Sequence, residues 1–255
     1  MVMRAEPVST HRLGDARYAP VMAERAVPGF LPSVHGLRFA NAFPPGPTIR
    51  LGPLDLRALG IGDAAAGLCG GMALTARDLW AAGVRAPAGS EPPASGSRRF
   101  RALVRRQVQS LDWLRVPLRY ALLAARHGLL GRGPASEPSA TREWPRVRAE
   151  IDGGRPCLVE LVRVGGCSPA ALSRNHQVLA YAYAEERARG ATLVRLRVYD
   201  PNHPGRDDVA LEVAVASPDG RPLAARISLR QTTGEPLLGF FRGPVLRAEP
   251  VGAWR

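Results

Sequence analysis

The chain predicts an α+β fold in which helices come first and an antiparallel sheet follows. Three observations carry that prediction. Apolar residues recur at helical spacing in several stretches ahead of Gly153-Gly154. Beyond that pair the pattern changes to extended runs rich in Val, Leu, Ala and Tyr, separated by Gly, Pro and Asp. A length of 255 residues is enough to bury roughly 70–75% of the unfolded surface, which suits one mixed domain with a full core.

In chain order, residues 1–33 read as an irregular N-terminal arm rich in Arg, Ala, Glu and Pro, with no chemistry assigned, and residues 34–255 as the folded domain. His35 to Phe43 forms a short extended run with aromatics, closed by Pro44-Pro45-Gly46-Pro47, and His35 is read as structural. Leu54 to Leu59 then leads through Gly60 and Gly62 into a glycine-rich turn. From Met72 to Ala82 the residues Met72, Ala76, Leu79 and Trp80 share a helical face, and Gly83 with Pro87 supplies the stop. Residues 85–97 hold no core-forming residue and read as a loop. Phe100 to Leu114 is a second helix, with Arg101, Arg105 and Arg106 on its solvated side. Pro117 ends or kinks it, a further apolar run spans Leu118 to Leu130, and Trp144 to Ile151 makes a short helix after a loop. The strands are Pro156–Val164, Asn175–Tyr183 and Leu193–Asp200, followed by Val209–Val215, Ala224–Leu229 and Leu238–Phe241.

The formal net charge of +13 would ordinarily point to nucleic acid or an anionic membrane. All 35 basic residues are arginine, however, and asparagine occurs only at Asn41, Asn175 and Asn202, a bias that matches GC-rich coding. No specific nucleic-acid partner is therefore expected, and nucleic-acid binding is retained only as a weaker class motivated by the arginines. Cys69, Cys157 and Cys167 are too few and too scattered for a disulfide framework. Neither a signal peptide nor a membrane-length apolar run is legible, so a cytoplasmic protein with no membrane partner is expected. The cysteines and His176 lack zinc-site spacing, Pro204 and Leu211 spoil an EF-hand reading of Asp200-Pro201-Asn202, and no phosphate loop is present, so no metal or other cofactor is expected.

The chemistry-bearing stretch is Gly67-Leu68-Cys69-Gly70-Gly71-Met72. A thiol reacts as the thiolate, and the positive end of a helix lowers its pKa, so Cys69 stands where a nucleophile would be put. Its other reading is a small buried apolar residue in a turn. A hairpin centred near Ala188 would set His176 directly across from Asp200, both on the core-facing side with Val178, Ala180, Val198 and Leu196. Cys69 would then attack an acyl carbon, His176 would take and return the proton, and Asp200 would orient the imidazole.

With Asn175-His176-Gln177-Val178-Leu179-Ala180-Tyr181 and Val198-Tyr199-Asp200-Pro201-Asn202, this stretch resembles the papain-like cysteine peptidase superfamily, in particular its bacterial bacteriocin-processing-like branch. The resemblance covers roughly residues 35 to 210. It implies a papain-like fold whose helical half carries the nucleophile against an antiparallel sheet, with Cys69, His176 and Asp200 as catalytic residues and a peptide or acyl substrate in the cleft. The Cys69-to-His176 interval is shorter than the roughly 130–150 residues of the papain group itself, which sets the chain outside that group. One departure is Asp63, where such enzymes carry a Gln that holds the oxyanion; Asn41 or Asn175 would have to supply the donor instead. The leading function is a thiol hydrolase or acyltransferase working through an acyl-cysteine, and the alternative is a catalytically inactive binding module on the same fold.

Overall fold

The structure, a computed structural model, describes residues 24–45, 50–51, 54–55, 64–113, 115–126, 133–166, 168, 171, 173–188, 190–218 and 220–255. Its first elements are strand β1 (Arg25–Ala26), a single helical turn α1 (Pro32–His35) and the small hairpin β2 (Arg50–Leu51) and β3 (Leu54–Asp55). Helices α2 (Cys69–Ala81), α3 (Arg98–Ser110) and α4 (Arg115–Ala124) follow. A short turn, α5 (Ser136–Pro138), runs through a π-helical segment, Ser139–Glu143, into α6 (Trp144–Asp152). The remainder is β4 (Cys157–Val162), β5 (His176–Ala188), β6 (Ala191–Tyr199), β7 (Ala210–Ala216), β8 (Ile227–Gln231) and β9 (Gly239–Arg242).

The mixed α+β class is therefore observed, with helices ahead of an antiparallel sheet. The strand order is β8-β7-β6-β5-β4-β9, and β1 pairs with β5 through Arg25 and Tyr183. β4 is buried at every position, as is β5 from His176 to Ala184. Such unbroken burial requires cover on both faces, which accounts for continuous apolar runs in place of strict alternation. Ala73, Leu74 and Ala76 of α2 and Trp144, Val147 and Ile151 of α6 share one core with the central strands. A second cluster joins α2 to α3 through Met72, Leu79, Phe100 and Leu103, and takes in Leu37, Phe39, Val251 and Trp254. A third sets Val116 and Tyr120 of α4 against Val162 and Phe241.

Helix α2 lies between the sheet and α3 and is buried on most of its circumference. Its N-terminal turn is glycine because nothing larger fits. A Cβ on Gly71 would stand 2.3 Å from the Leu103 carbonyl oxygen of α3, and one on Gly70 would stand 2.0 Å from Gln177 Oε1 of β5. Gly83, at φ +63°, ends the helix as its sequence suggests.

Four details differ from the sequence reading. Val34 and His35 belong to a helical turn that Pro32 opens, and the aromatics after it sit in irregular backbone whose side chains fill the second cluster. The chain joins the fold by Glu24, since β1 pairs with β5 and Val27 and Phe30 enter the main core. The β5–β6 hairpin carries a bulge between Ala180 and Ala182 and pairs Leu179 with Tyr199, so Asp200 stands diagonal to His176 and not directly across. Arg106 is buried, with its guanidinium 2.7 Å from Asp78 Oδ1 of α2 and 3.2 Å from the Arg247 carbonyl oxygen. Segment 246–254 is clasped by the same helix: Arg105 pairs with Glu249 at 2.6 Å and Arg99 donates to the Ala253 carbonyl at 3.2 Å. Among the described residues no helix is long and apolar enough to cross a membrane.

Close approach of α2 and α3 makes a direct prediction. Gly71→Ala should destabilise the fold by about 1–3 kcal/mol in urea unfolding, because the added methyl meets backbone that cannot rotate away. Gly89→Ala, where a Cβ meets nothing within 4 Å, should leave the midpoint unchanged.

Candidate active site

The site forms where α2 begins. Gly67 holds φ +88°, a left-handed backbone, and the Asn41 amide occupies the place a Cβ would take, 2.4 Å from its ideal position. Asn41 Oδ1 accepts the Leu68 N–H at 2.6 Å, so the turn into α2 is tied by a side chain from a remote segment. Cys69 is the first residue of the helix, where the aligned peptide dipoles present their positive end. Its thiol lies 3.9 Å from Gln177 Oε1 and stands close enough to the His176 imidazole to raise that ring's pKa.

His176 opens β5 and Asp200 follows the last residue of β6, so the two meet at one end of the sheet. His176 Nε2 lies 2.6 Å from Asp200 Oδ1, which leaves Nδ1 as the ring nitrogen for Cys69. A diagonal pair on neighbouring strands is within reach of side chains this long. Asp200 is fully buried and its oxygens are all engaged: Oδ1 also accepts the Asn202 N–H at 2.8 Å, and Oδ2 accepts from Gln231 Nε2 at 2.7 Å. Gln231 Oε1 in turn accepts from Arg163 at 3.0 Å. Beyond Gln231 the contacts run through Thr233 to Glu235 and His203.

Burial alone would lower the His176 pKa, but the charge of Asp200 and the neighbouring Cys69, with hydrogen bonds to both, push it up to about 9. Burial alone would raise Asp200, and the charge and hydrogen bond of His176 overcome it, holding the carboxyl well below the usual range. The pair therefore favours imidazolium beside carboxylate at neutral pH.

The structure thus brings together Cys69, His176 and Asp200. Cys157 lies inside β4, where burial drives its thiol far up, and Cys167 and Asp63 lie outside the described residues. Asn41 touches the nucleophile turn. Asn175 uses its Oδ1 to cap β4 through the Arg163 N–H at 3.0 Å, while its Nδ2 is buried without a partner. Sequence reasoning missed Gln231, Gln177 and Glu160. The signal for Glu160 was present, a carboxyl within the otherwise apolar strand Cys157-Leu158-Val159-Glu160-Leu161-Val162. Among the described residues no cluster of His, Cys, Asp and Glu could hold a metal ion. No protein-family model, curated protein or solved structure matches the chain.

The raised His176 pKa makes stability depend on pH. The charged ring stabilises the fold fully below about pH 6.5, and that contribution is lost as pH rises through about 9. A shift of this size corresponds to about 3 kcal/mol. Urea unfolding at pH 6.5 and 10 should show most of that loss in the wild type and little of it in Asp200→Asn.

Proposed function

We propose that the chain is a papain-like thiol hydrolase or acyltransferase that acts on an amide, ester or thioester through an acyl-cysteine. The single observation that supports it is the convergence of Cys69, at a helix N-terminus, on the His176 imidazole that is hydrogen-bonded to Asp200. Imidazolium beside thiolate is the reactive form, and Asp200 keeps the ring charged and oriented. The Cys69 sulfur attacks the acyl carbon and the carbonyl π pair moves onto oxygen. The resulting oxyanion collapses and expels the leaving group, which takes its proton from His176. Water, or an acceptor nucleophile, then gives a proton to His176 and displaces the acyl group from Cys69.

The oxyanion needs donors. We assign the Cys69 backbone N–H and the Asn41 side-chain amide, whose Oδ1 is already fixed by Leu68 N–H and whose Nδ2 donates only a long bond of 3.3 Å to Asn202. The expected partner is a peptide or small acyl donor, in a cytoplasmic setting that keeps Cys69 reduced.

Single-turnover labelling with p-nitrophenyl acetate tests the reading. Wild type should carry one acetyl group on Cys69, Cys69→Ala none, and His176→Ala should acylate roughly 10²-fold more slowly or worse. Asn41→Ala should slow acylation by roughly 10²–10³, and far more than it slows alkylation of Cys69 by iodoacetamide, because displacement at a saturated carbon forms no oxyanion. Folded wild-type protein that takes up no acetyl group would overturn the enzyme and leave the catalytically inactive binding module.

A further inference from the structure

Behind the Cys69–His176 pair lies a carboxyl group that the acyl-transfer mechanism does not use. Glu160 sits in the middle of β4 with no exposed surface, directly opposite Gln177 in the β4–β5 ladder. Its Oε1 accepts from Gln177 Nε2 at 2.9 Å and its Oε2 lies 2.8 Å from the Tyr120 hydroxyl. That hydroxyl is also 2.9 Å from the His176 carbonyl oxygen.

The direction of this series is set at its far end. The Gly71 backbone N–H can only donate, and it donates to Gln107 Oε1 at 2.9 Å. Gln107 must then present Nε2, which lies 3.0 Å from Gln177 Oε1. Gln177 in turn must present Nε2 to Glu160. Ser110 Oγ, 3.0 Å from Gln177 Oε1, and the Cys69 thiol complete the surroundings of that oxygen. Glu160 Oε1 is thus an acceptor in every state, and any proton on the carboxyl must sit on Oε2, facing Tyr120.

Tyr120 has one hydroxyl proton and two acceptors within reach. When Glu160 is ionised, Tyr120 donates to Oε2. When Glu160 is protonated, Oε2 donates to the Tyr120 oxygen and Tyr120 turns its proton to the His176 carbonyl. Both arrangements satisfy the hydrogen bonds, so a fully buried carboxyl can change charge without leaving an orphan.

We infer that Glu160 is a positioning residue for the Cys69–His176 pair, acting through Gln177 on the thiol, through Tyr120 on the His176 main chain, and by its charge on the His176 proton. The groups that face it are Arg119 and Tyr120 of α4, His176 of β5, Cys157 of its own strand and, through Gln177, Cys69 of α2; its β9 partner, Phe241, is apolar. Burial raises the Glu160 carboxyl to about 7, against the hydrogen bonds of Gln177 and Tyr120 and the charges of Arg119 and His176, so it changes charge near neutrality. By reciprocity, whatever His176 does to ionise Glu160, Glu160 does to keep His176 protonated.

This inference rests on the proposed acyl-transfer site for its catalytic meaning, and its test is a titration that needs no turnover. The His176 ring followed by NMR in the full chain should titrate near pH 9, with a smaller step near pH 7 from Glu160. Glu160→Gln imitates the protonated carboxyl, accepting from Gln177 and donating to Tyr120. It should abolish the step near 7 and lower the His176 pKa, and where p-nitrophenyl acetate reacts, the alkaline limb of acylation should move down with it. Tyr120→Phe removes a hydrogen bond that favours ionised Glu160, so it should keep the step and move it above 7. Thermal melts check that Glu160 is dry. Its folded pKa exceeds the ordinary 4.5, so wild type should lose stability relative to Glu160→Gln as pH rises from about 4.5 to 7. A His176 titration identical in wild type and Glu160→Gln would overturn the inference, as would a step near 7 that survives in Glu160→Gln. Failure of acylation with these NMR shifts intact would overturn only the acyl-transfer reading.

Discussion

An imidazole and a carboxylate held 2.6 Å apart and away from water set conditions that much of the sheet meets. A buried charge left with an unfilled lone pair costs more than the pair gains, so each oxygen of Asp200 must find a donor. One donor is local, the Asn202 N–H in the turn after β6. The other comes from Gln231, at the end of β8, where pairing of Gln231 with Leu211 sets the strand's position. The outer strands β7 and β8 thus carry a donor to the end of β6, and Arg163, beyond the end of β4, holds the Gln231 amide in the orientation that offers its nitrogen.

Much of this was legible in the residues. The helical stripe after Cys69, the glycine that ends it and the strands after Gly154 all appear within a few residues of where periodicity sets them. Local patterns decide such features, because the side chains that form an element also bury it. Register is less legible. The bulge at Tyr181 falls where the partner along one edge of β5 changes from β4 to β1, and no pattern within β5 reports it. The pairing of His176 with Asp200 survives the displacement because the offset keeps both residues on the same face and within diagonal reach.

Arg106 and Glu160 fail in the sequence for a shared reason. Each is a charged residue in a position that periodicity assigns by polarity alone, yet each is buried because a partner far away in the chain neutralises or hydrogen-bonds it. Arg106 meets Asp78 and Glu160 meets Tyr120 and Gln177, and none of these partners can be inferred from spacing. What could be read was the anomaly itself, a carboxyl in an apolar strand. Its meaning required the fold.

The clasp on segment 246–254 has a mechanical consequence. Arg99, Arg105 and Arg106 hold that segment along α3, and the same helix carries Gln107 and Ser110 to the back of the nucleophile turn. Ser110 lies one turn beyond Arg106, so the clasp and the back of the site are reached from neighbouring positions of one helix. Where α3 crosses α2 there is no slack, since even a Cβ on Gly71 would stand 2.3 Å from the Leu103 carbonyl oxygen. The thiol is thus indexed to a stretch of chain nearly two hundred positions away, as a gear is set by a distant shaft.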